Sequence, residues 1–200
     1  MSGWEESAFI RASGALWEEA IHSPFLDAIG SGTLPTDLFD SWLTQDYRFA
    51  QALVVFQSVA VARCPRKNQG PLIAGLAALD SELTWFEEQA KKRRLDLDGE
   101  IHPVCRRYAD FLIRTAYSEA PSVLLGTLFG VEVAYLAAWS ALKPTGPYAE
   151  FVERWSNPGF RDYVQSLRKM AEDGRDDRSQ EYFNQALIHE NDFWTLSCGV

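Results

Sequence analysis

The chain has 200 residues, enough for a substantial core, and we expect a single helical domain over 1–200. Its 19 basic and 28 acidic residues give a net charge of −9, which argues against nucleic acids and anionic membranes as partners because both attract a positive face. The three cysteines have no CxxC or paired Cys/His spacing, so we expect no structural zinc site. We also expect no other metal and no cofactor. The N-terminal sequence lacks a basic segment followed by an apolar core, which indicates a cytoplasmic location without a secretory signal.

Apolar residues recur with helical periodicity along the whole chain, and no alternating strand pattern is present. A first helix is predicted over 4–22, because Pro24 forces the residue before it out of the helical region. Further helices are predicted over 25–29, from Thr33 or Thr36 to residue 63, over 69–93 and over 103–117.

Residues 123–142, VLLGTLFGVEVAYLAAWSAL, are almost entirely apolar. A helix that is hydrophobic on every side is either a membrane span or the central helix of a bundle. Glu132 favours the bundle, because a carboxylate in the middle of a membrane costs about 2.5–3.5 kcal/mol. Gly126 and Gly130 form a small-xxx-small pair, which permits close helix packing.

The remaining chain predicts helices over 148–155, 160–171 and 179–197, separated by Pro- and Gly-containing breaks. The sequence therefore predicts an all-α bundle of about seven or eight helices.

Four carboxylates are embedded among large apolar neighbours: Asp46, Glu82, Glu132 and Glu190. Carboxylates that converge in an apolar cavity have their pKa values pushed apart, which is how an acid–base pair arises. Tyr135 follows Glu132 by three residues on the same helix face, so the two form either a hydrogen bond in the core or the wall of a ligand pocket. There is no HExxH, Glu-x-x-His or GxSxG motif and no glycine-rich phosphate loop.

Short motifs follow one another in a fixed order along nearly the whole chain. They are His22-Ser23-Pro24-Phe25, Gly32-x-Leu34-Pro35 with Phe39, Gln45-Asp46-Tyr47, Glu82, Tyr108 with Phe111-Leu112, Tyr135, Tyr148 with Phe151 and Trp155, and Glu190 with Phe193-Trp194. In this order and spacing they resemble the TenA family, the thiaminase II group, which has a haem-oxygenase-like helical fold.

The resemblance implies a pocket for an aminopyrimidine, the hydroxymethylpyrimidine half of thiamin. Asp46 matches the aspartate that binds the ring nitrogen and the amine, and Glu190 matches the glutamate that acts as general acid–base. The other matching pocket positions are Tyr108, Tyr135, Trp155 and Phe49, of which the last two stand where the family often has tyrosine.

One departure from the family pattern bears on the mechanism. Thiaminase II enzymes carry a nucleophilic cysteine four residues before the tyrosine of the central helix, and here that position is Val131. A valine forms no covalent adduct. The chain is therefore similar to the cysteine-less class of the family, which has a glutamate in this region and is associated with thiamin salvage.

This resemblance implies a hydrolase of aminomethyl- or formylaminomethyl-pyrimidine that works by carboxylate acid–base catalysis. Glu190 would protonate the leaving amine, and Glu132 or Glu82 would activate water. We expect Asp46, Glu132 and Glu190 to meet in a dry, aromatic-walled chamber without a thiol, in a protein that forms a homotetramer or homodimer. Two alternatives stay open: a non-catalytic pyrimidine-binding or regulatory protein, and an oxidase on the same fold.

Overall fold

The predicted all-α fold is confirmed by a computed structural model, which describes residues 3–143 and 145–197. Within these residues there are ten α-helices rather than seven or eight, because the short segments near 25–29 and 148–155 are separate helices and the segment predicted as one helix over 4–22 contains two. The helices are α1 (Ala8–Ser13), α2 (Ala15–Ile21), α3 (Pro24–Gly30), α4 (Thr36–Arg63), α5 (Arg66–Arg93), α6 (Pro103–Ser118), α7 (Pro121–Ser140), α8 (Ala149–Trp155), α9 (Pro158–Asp173) and α10 (Asp177–Trp194), with 3₁₀ turns at Gly3–Glu6, Gly146–Tyr148 and Thr195–Ser197.

The single helix predicted over 4–22 is wrong. Ser7 adopts an extended conformation and its Oγ accepts a hydrogen bond from the Phe9 N–H, so α1 begins after it. Gly14, with φ +55° and ψ −124°, then separates α1 from α2. A side chain is strained at this backbone conformation, and glycine accommodates it without steric cost.

The chain divides into two compact units. The first unit consists of the described residues of 1–34 and 122–195 and contains α1–α3 and α7–α10. The second unit consists of the described residues of 35–121 and the short segment from 196, and it contains α4–α6. In the second unit α4 packs against both α5 and α6.

Helix α7 is the core helix of the first unit. By length and composition it is the one helix in the described residues that could cross a membrane, yet 83% of its apolar 18-residue window is buried inside the protein. Gly126 and Gly130 lie where α7 closely approaches α10: a Cβ on Gly130 would lie 3.2 Å from the Ala186 Cβ and from Phe183 O. The small residues thus allow the close packing that their spacing predicts.

Two of the sequence motifs have clear structural roles in the first unit. Ser23 caps α3 by accepting a hydrogen bond from Leu26 N–H at 3.2 Å, and Pro24 occupies the first turn, where its missing N–H is not needed. Farther along, the buried Tyr148 hydroxyl donates to the Leu34 carbonyl at 2.6 Å. These bonds fix the start of α3 and the end of the loop that follows it.

Candidate active site

Glu132 and Glu190 are both buried in the first unit, with 7% and 2% of their surfaces exposed. They lie on α7 and α10, which run parallel: Gly126 faces Ser179, Gly130 faces Ala186, and Tyr135 stacks on Trp194. Ala186, Glu190 and Trp194 are spaced four residues apart, so they share one face of α10. This spacing places Glu190 on the face of α10 that packs against α7.

Val131 occupies the position where the resembling enzymes have their nucleophile. It lies directly before Glu132 on α7 and is 2% exposed. Its side chain has no lone pair and no acidic proton, so the chemistry available on this turn of α7 is that of the Glu132 carboxylate.

Tyr135 lies within a cluster of aromatic side chains in the first unit. Its ring stacks on Trp194 with centroids 6.0 Å apart and meets Trp155 edge-on at 5.5 Å. Trp139, one helical turn after Tyr135, packs on Trp155 at 4.5 Å. Trp139, Trp155 and Trp194 are buried whereas Tyr135 is partly exposed, so Tyr135 is the member of this cluster that is most accessible to a ligand.

Trp194 is anchored on its other side by the start of the chain. Its indole N–H donates to the Ala20 carbonyl at 2.8 Å, and its ring stacks on Phe25 with centroids 6.1 Å apart. A buried indole usually needs such a partner for its polar edge. The cluster is therefore held at Trp194 by the C-terminal end of α2 and the first turn of α3.

The second unit holds Asp46, Phe49 and Tyr108. Asp46 is 4% exposed on α4, and Phe49 on the next turn packs against Tyr108 of α6 with ring centroids 4.5 Å apart. Three of the predicted binding residues are thus brought to one helix pair. Asp46 and Phe49 are three residues apart on α4 and so share one face of the helix.

Hydrogen bonds fix the chain around Asp46. The Gln45 side chain donates to the Glu100 carbonyl at 3.1 Å and accepts from the His102 N–H at 2.9 Å. Arg48 donates to the Gly99 carbonyl at 3.4 Å. The residues that flank Asp46 thus tie α4 to the loop that leads into α6, the helix of Tyr108.

Cys105 is a thiol close to one of the predicted binding residues. It lies on α6 beside Asp46, and its S–H donates to the Gln45 carbonyl at 3.4 Å. Burial, reinforced by the negative charge of Asp46, raises the pKa of Cys105 to about 12. The group is therefore a neutral thiol near neutral pH and a poor nucleophile.

The other cysteines have separate surroundings. Cys64 follows α4 and is 4% exposed, and burial raises its pKa to about 11. Cys198 lies outside the described residues.

Glu82 differs from the other three carboxylates because it is only half-buried on α5. Phe86, four residues later, is buried and meets Tyr47 edge-on at 6.0 Å. The Tyr47 hydroxyl donates to Glu87 at 3.3 Å, and burial together with that carboxylate raises the pKa of Tyr47. Glu82 thus belongs to the second unit and to a wetter environment than Asp46.

Sequence reasoning missed two members of these sites. Trp139 follows Tyr135 by four residues, a spacing that places them on the same face of α7 and could have identified it. No local sequence pattern identifies Cys105, because its contact, Gln45, is 60 residues away in the sequence. Across the described segments 3–143 and 145–197, no group of three or more His, Cys, Asp or Glu side chains is arranged to hold a metal ion.

Comparison with known sequences identifies the family. The TENA/THI-4/PQQC family model matches residues 11–199. A Glycine max protein named "Probable bifunctional TENA-E protein" is 26% identical over 203 aligned residues, covering 92% of this chain and 89% of its own. A Schizosaccharomyces pombe protein whose name describes a hydroxymethylpyrimidine/phosphomethylpyrimidine kinase is 25% identical over 169 residues, which cover 76% of this chain and 29% of that longer protein.

Solved structures agree with this comparison. A TenA homologue from Pyrococcus furiosus superposes with a TM-score of 0.90 and 25% identity over 98% of this chain and 100% of its own. A protein from Silicibacter sp. TM1040 described as a TenA family transcription regulator has the same fold, with a TM-score of 0.88 and 17% identity over 96% of this chain and 95% of its own. The chain belongs to the TENA/THI-4/PQQC family.

Proposed function

We propose that this protein hydrolyses aminopyrimidine breakdown products of thiamin, with aminomethyl- or formylaminomethyl-pyrimidine as substrate. Membership of the family and the similarity to a bifunctional TENA-E protein support a thiamin-related hydrolase. Asp46 binds the ring nitrogen and amine of the pyrimidine, and Phe49, Tyr108, Tyr135 and Trp155 supply aromatic contacts. These roles come from the match to the family motifs.

The observation that carries the proposal is that a unit with valine at the nucleophile position buries two carboxylates. Glu132 adjoins Val131 on α7, and Glu190 lies on the face of α10 that packs against this helix. Because valine forms no covalent intermediate, the carbon–nitrogen bond is cleaved by water directly. Two carboxylates act as an acid–base pair when one is neutral and the other is ionised.

The reaction on the aminomethyl compound balances with two proton transfers. Water attacks the exocyclic methylene carbon and loses a proton to the carboxylate of Glu132 or Glu82. The carbon–nitrogen bond breaks while Glu190, as the neutral acid, gives its proton to the departing amine. The products are hydroxymethylpyrimidine and ammonia.

The deciding experiment compares the turnover of both pyrimidines by the wild type and by Glu190→Gln. General acid–base catalysis is worth about 10²–10⁴-fold, and we expect kcat to fall by that factor. Glu181→Gln on the same helix is the matched control, because Glu181 is exposed and pairs with Arg178 at the surface. Equal turnover by the Glu190→Gln variant and the wild type would remove Glu190 from the mechanism.

The same assay shows whether Glu132 or Glu82 activates water. It also distinguishes a hydrolase from a non-catalytic pyrimidine-binding protein. The carboxylate that activates water is the one whose change to glutamine, Glu132→Gln or Glu82→Gln, lowers kcat without weakening binding of the hydroxymethyl product. Tight binding of that product without turnover of either compound would instead indicate a non-catalytic pyrimidine-binding protein.

A further inference from the structure

Arg161 of α9 joins the ends of the two helices that carry Trp139 and Trp155. Its Nε donates to the carbonyl of Ser156 and its Nη2 donates to the Ser140 hydroxyl, both at 3.0 Å. Ser156 directly follows Trp155, and Ser140 directly follows Trp139. The Arg161 guanidinium therefore binds the backbone of the residue that follows Trp155 and the side chain of the residue that follows Trp139.

Helix α8 needs this support more than the longer helices do. It has seven residues, and its last residue is Trp155. A helix of two turns is unstable by itself, and its final carbonyl groups have no partner within the helix. Arg161 supplies a charged donor to the carbonyl of the capping residue, where a positive charge also complements the helix dipole.

The guanidinium is covered by the start of the chain. Trp4 is 6% exposed and lies in the Gly3–Glu6 turn, with the Arg161 Cζ 5.4 Å from the centre of its ring. A ring face attracts a cation and also shields it from water, which strengthens the charged hydrogen bonds beneath it.

We infer that Arg161 is a positioning residue that, covered by Trp4, holds Trp155 against Trp139. The two indole rings form the aromatic face next to Tyr135. Trp155 touches both rings, at 4.5 Å from Trp139 and 5.5 Å from Tyr135. The inference rests on the proposed function, because it makes this face a contact for the pyrimidine ring. Loss of Arg161 then weakens pyrimidine binding more than it slows the chemical step.

The test compares Arg161→Met with Arg161→Lys and with Lys169→Met, an exposed charge on the same helix. Coupling between residues of one contact network reaches about 10²-fold, so we expect Arg161→Met to weaken binding of hydroxymethylpyrimidine by about 10- to 100-fold with kcat lowered less than about threefold. Arg161→Lys retains the charge and one donor and should recover part of the affinity. Lys169→Met should match the wild type.

A double-mutant comparison shows whether the effect passes through Trp155. In a Trp155→Phe background, Arg161→Met should weaken binding by less than about threefold, because the group it positions is gone. A full effect in that background would overturn the inference, as would an Arg161→Met variant that binds like the wild type. Ser140→Ala removes one of the two acceptors of the Arg161 guanidinium with little risk to folding. It should also weaken pyrimidine binding, by a smaller factor than Arg161→Met does.

Near-UV circular dichroism keeps this test separate from the proposed function. Arg161→Met should alter the tryptophan signal, and the alteration should vanish in the Trp155→Phe background. A wild type that binds no pyrimidine but shows this spectral pattern would refute the proposed function and leave the positioning of Trp155 supported. A wild-type spectrum in the Arg161→Met variant would refute the positioning itself.

Discussion

The two units hold their candidate site residues by different means. In the first unit Tyr135 is surrounded by rings, with Trp155 and Trp194 centred 5.5 and 6.0 Å away. In the second unit the residues around Asp46 are held by hydrogen bonds, which run from Gln45 and Arg48 to the loop before α6. Ring contacts adapt to small shifts, whereas these hydrogen bonds are directional, lie at the surface and contribute only about 0.5–1.5 kcal/mol each.

Charge separates the units as well. The first unit has sixteen acidic and eight basic residues and the second has twelve and eleven, so their net charges are −8 and −1. A negative field attracts cations and stabilises them near the surface. The first unit therefore favours the protonated form of basic groups near its surface more than the second unit does.

The largest expected effect concerns the thiols of the second unit. Their pKa values of about 12 for Cys105 and about 11 for Cys64, against 9.0 for an ordinary thiol, lower the thiolate fraction at pH 8 by about 10³-fold and about 10²-fold. Alkylation by iodoacetamide, followed for each cysteine by peptide mass spectrometry, should be slower by those factors in the native chain than in urea. Rapid native labelling of Cys105 would mean that the surroundings of Asp46 are wet.

The same pKa shifts predict how stability depends on pH. Each thiol stays protonated in the folded chain, while in the unfolded chain it ionises near pH 9. The unfolded state therefore loses its protons first, and this contribution is fully present below about pH 9 and declines as pH rises towards 11 or 12. Urea unfolding of the wild type and of a Cys64→Ala/Cys105→Ala variant should show a smaller decline in the variant.

A smaller effect is expected from Asp46→Asn. Hydrogen bonds to a charged partner are worth about 1.5–3 kcal/mol, so replacing the carboxylate should weaken binding of hydroxymethylpyrimidine by about 10- to 100-fold. The control is Asp110→Asn, an exposed aspartate of the same unit. Calorimetric titration measures both, and equal affinities for the two variants would contradict the role of Asp46.

Asp46→Asn also has a readout that does not depend on function. Because the charge of Asp46 adds to the effect of burial on Cys105, removing it should lower the pKa of that thiol. The pKa should stay above its ordinary value, since burial is the larger cause. The pH dependence of Cys105 alkylation measures this shift. An unchanged profile would mean that the charge of Asp46 does not act on the Cys105 thiol.

The sequence predicted most helices because their signals are local. Pro24, Pro103 and Pro121 stand in the first turns of α3, α6 and α7, where proline is favoured. The break at Gly14 was missed because a glycine amid helical periodicity is also compatible with an uninterrupted helix.

The burial of the candidate site residues was predictable in part for a similar reason. Asp46, Glu132 and Glu190 are buried, as their apolar neighbours in the sequence suggest, whereas Glu82 has similar neighbours and is only half-buried. Burial of a helical residue depends on which helix packs over its face, and that information is not local. Cys105 shows the same limit, because its contact with Gln45 forms only when α4 and α6 pack.

The smallest effect expected for the folded chain sharpens the contrast between packing in the two units. Gly130→Ala in the first unit would put a Cβ 3.2 Å from Ala186 and from the Phe183 carbonyl, and overpacking of this kind costs about 1–3 kcal/mol, partly offset by the higher helix propensity of alanine. Gly70→Ala in the second unit meets nothing within 4 Å. Its gain in helix propensity is opposed by crowding against the ring of Pro71, so its free energy of unfolding should change by less than about 0.5 kcal/mol.

Urea unfolding measures both glycine variants, and a double variant identifies the contact responsible. Ala186→Gly removes one of the atoms that the new Cβ would meet, so Gly130→Ala should cost less in that background than in the wild type. If Gly130→Ala lowers the free energy of unfolding no more than Gly70→Ala does, then α7 and α10 can move apart without a loss of stability. The register of α10 along α7, which brings Ala186 to Gly130 and Trp194 to Tyr135, would then no longer be fixed by these glycines.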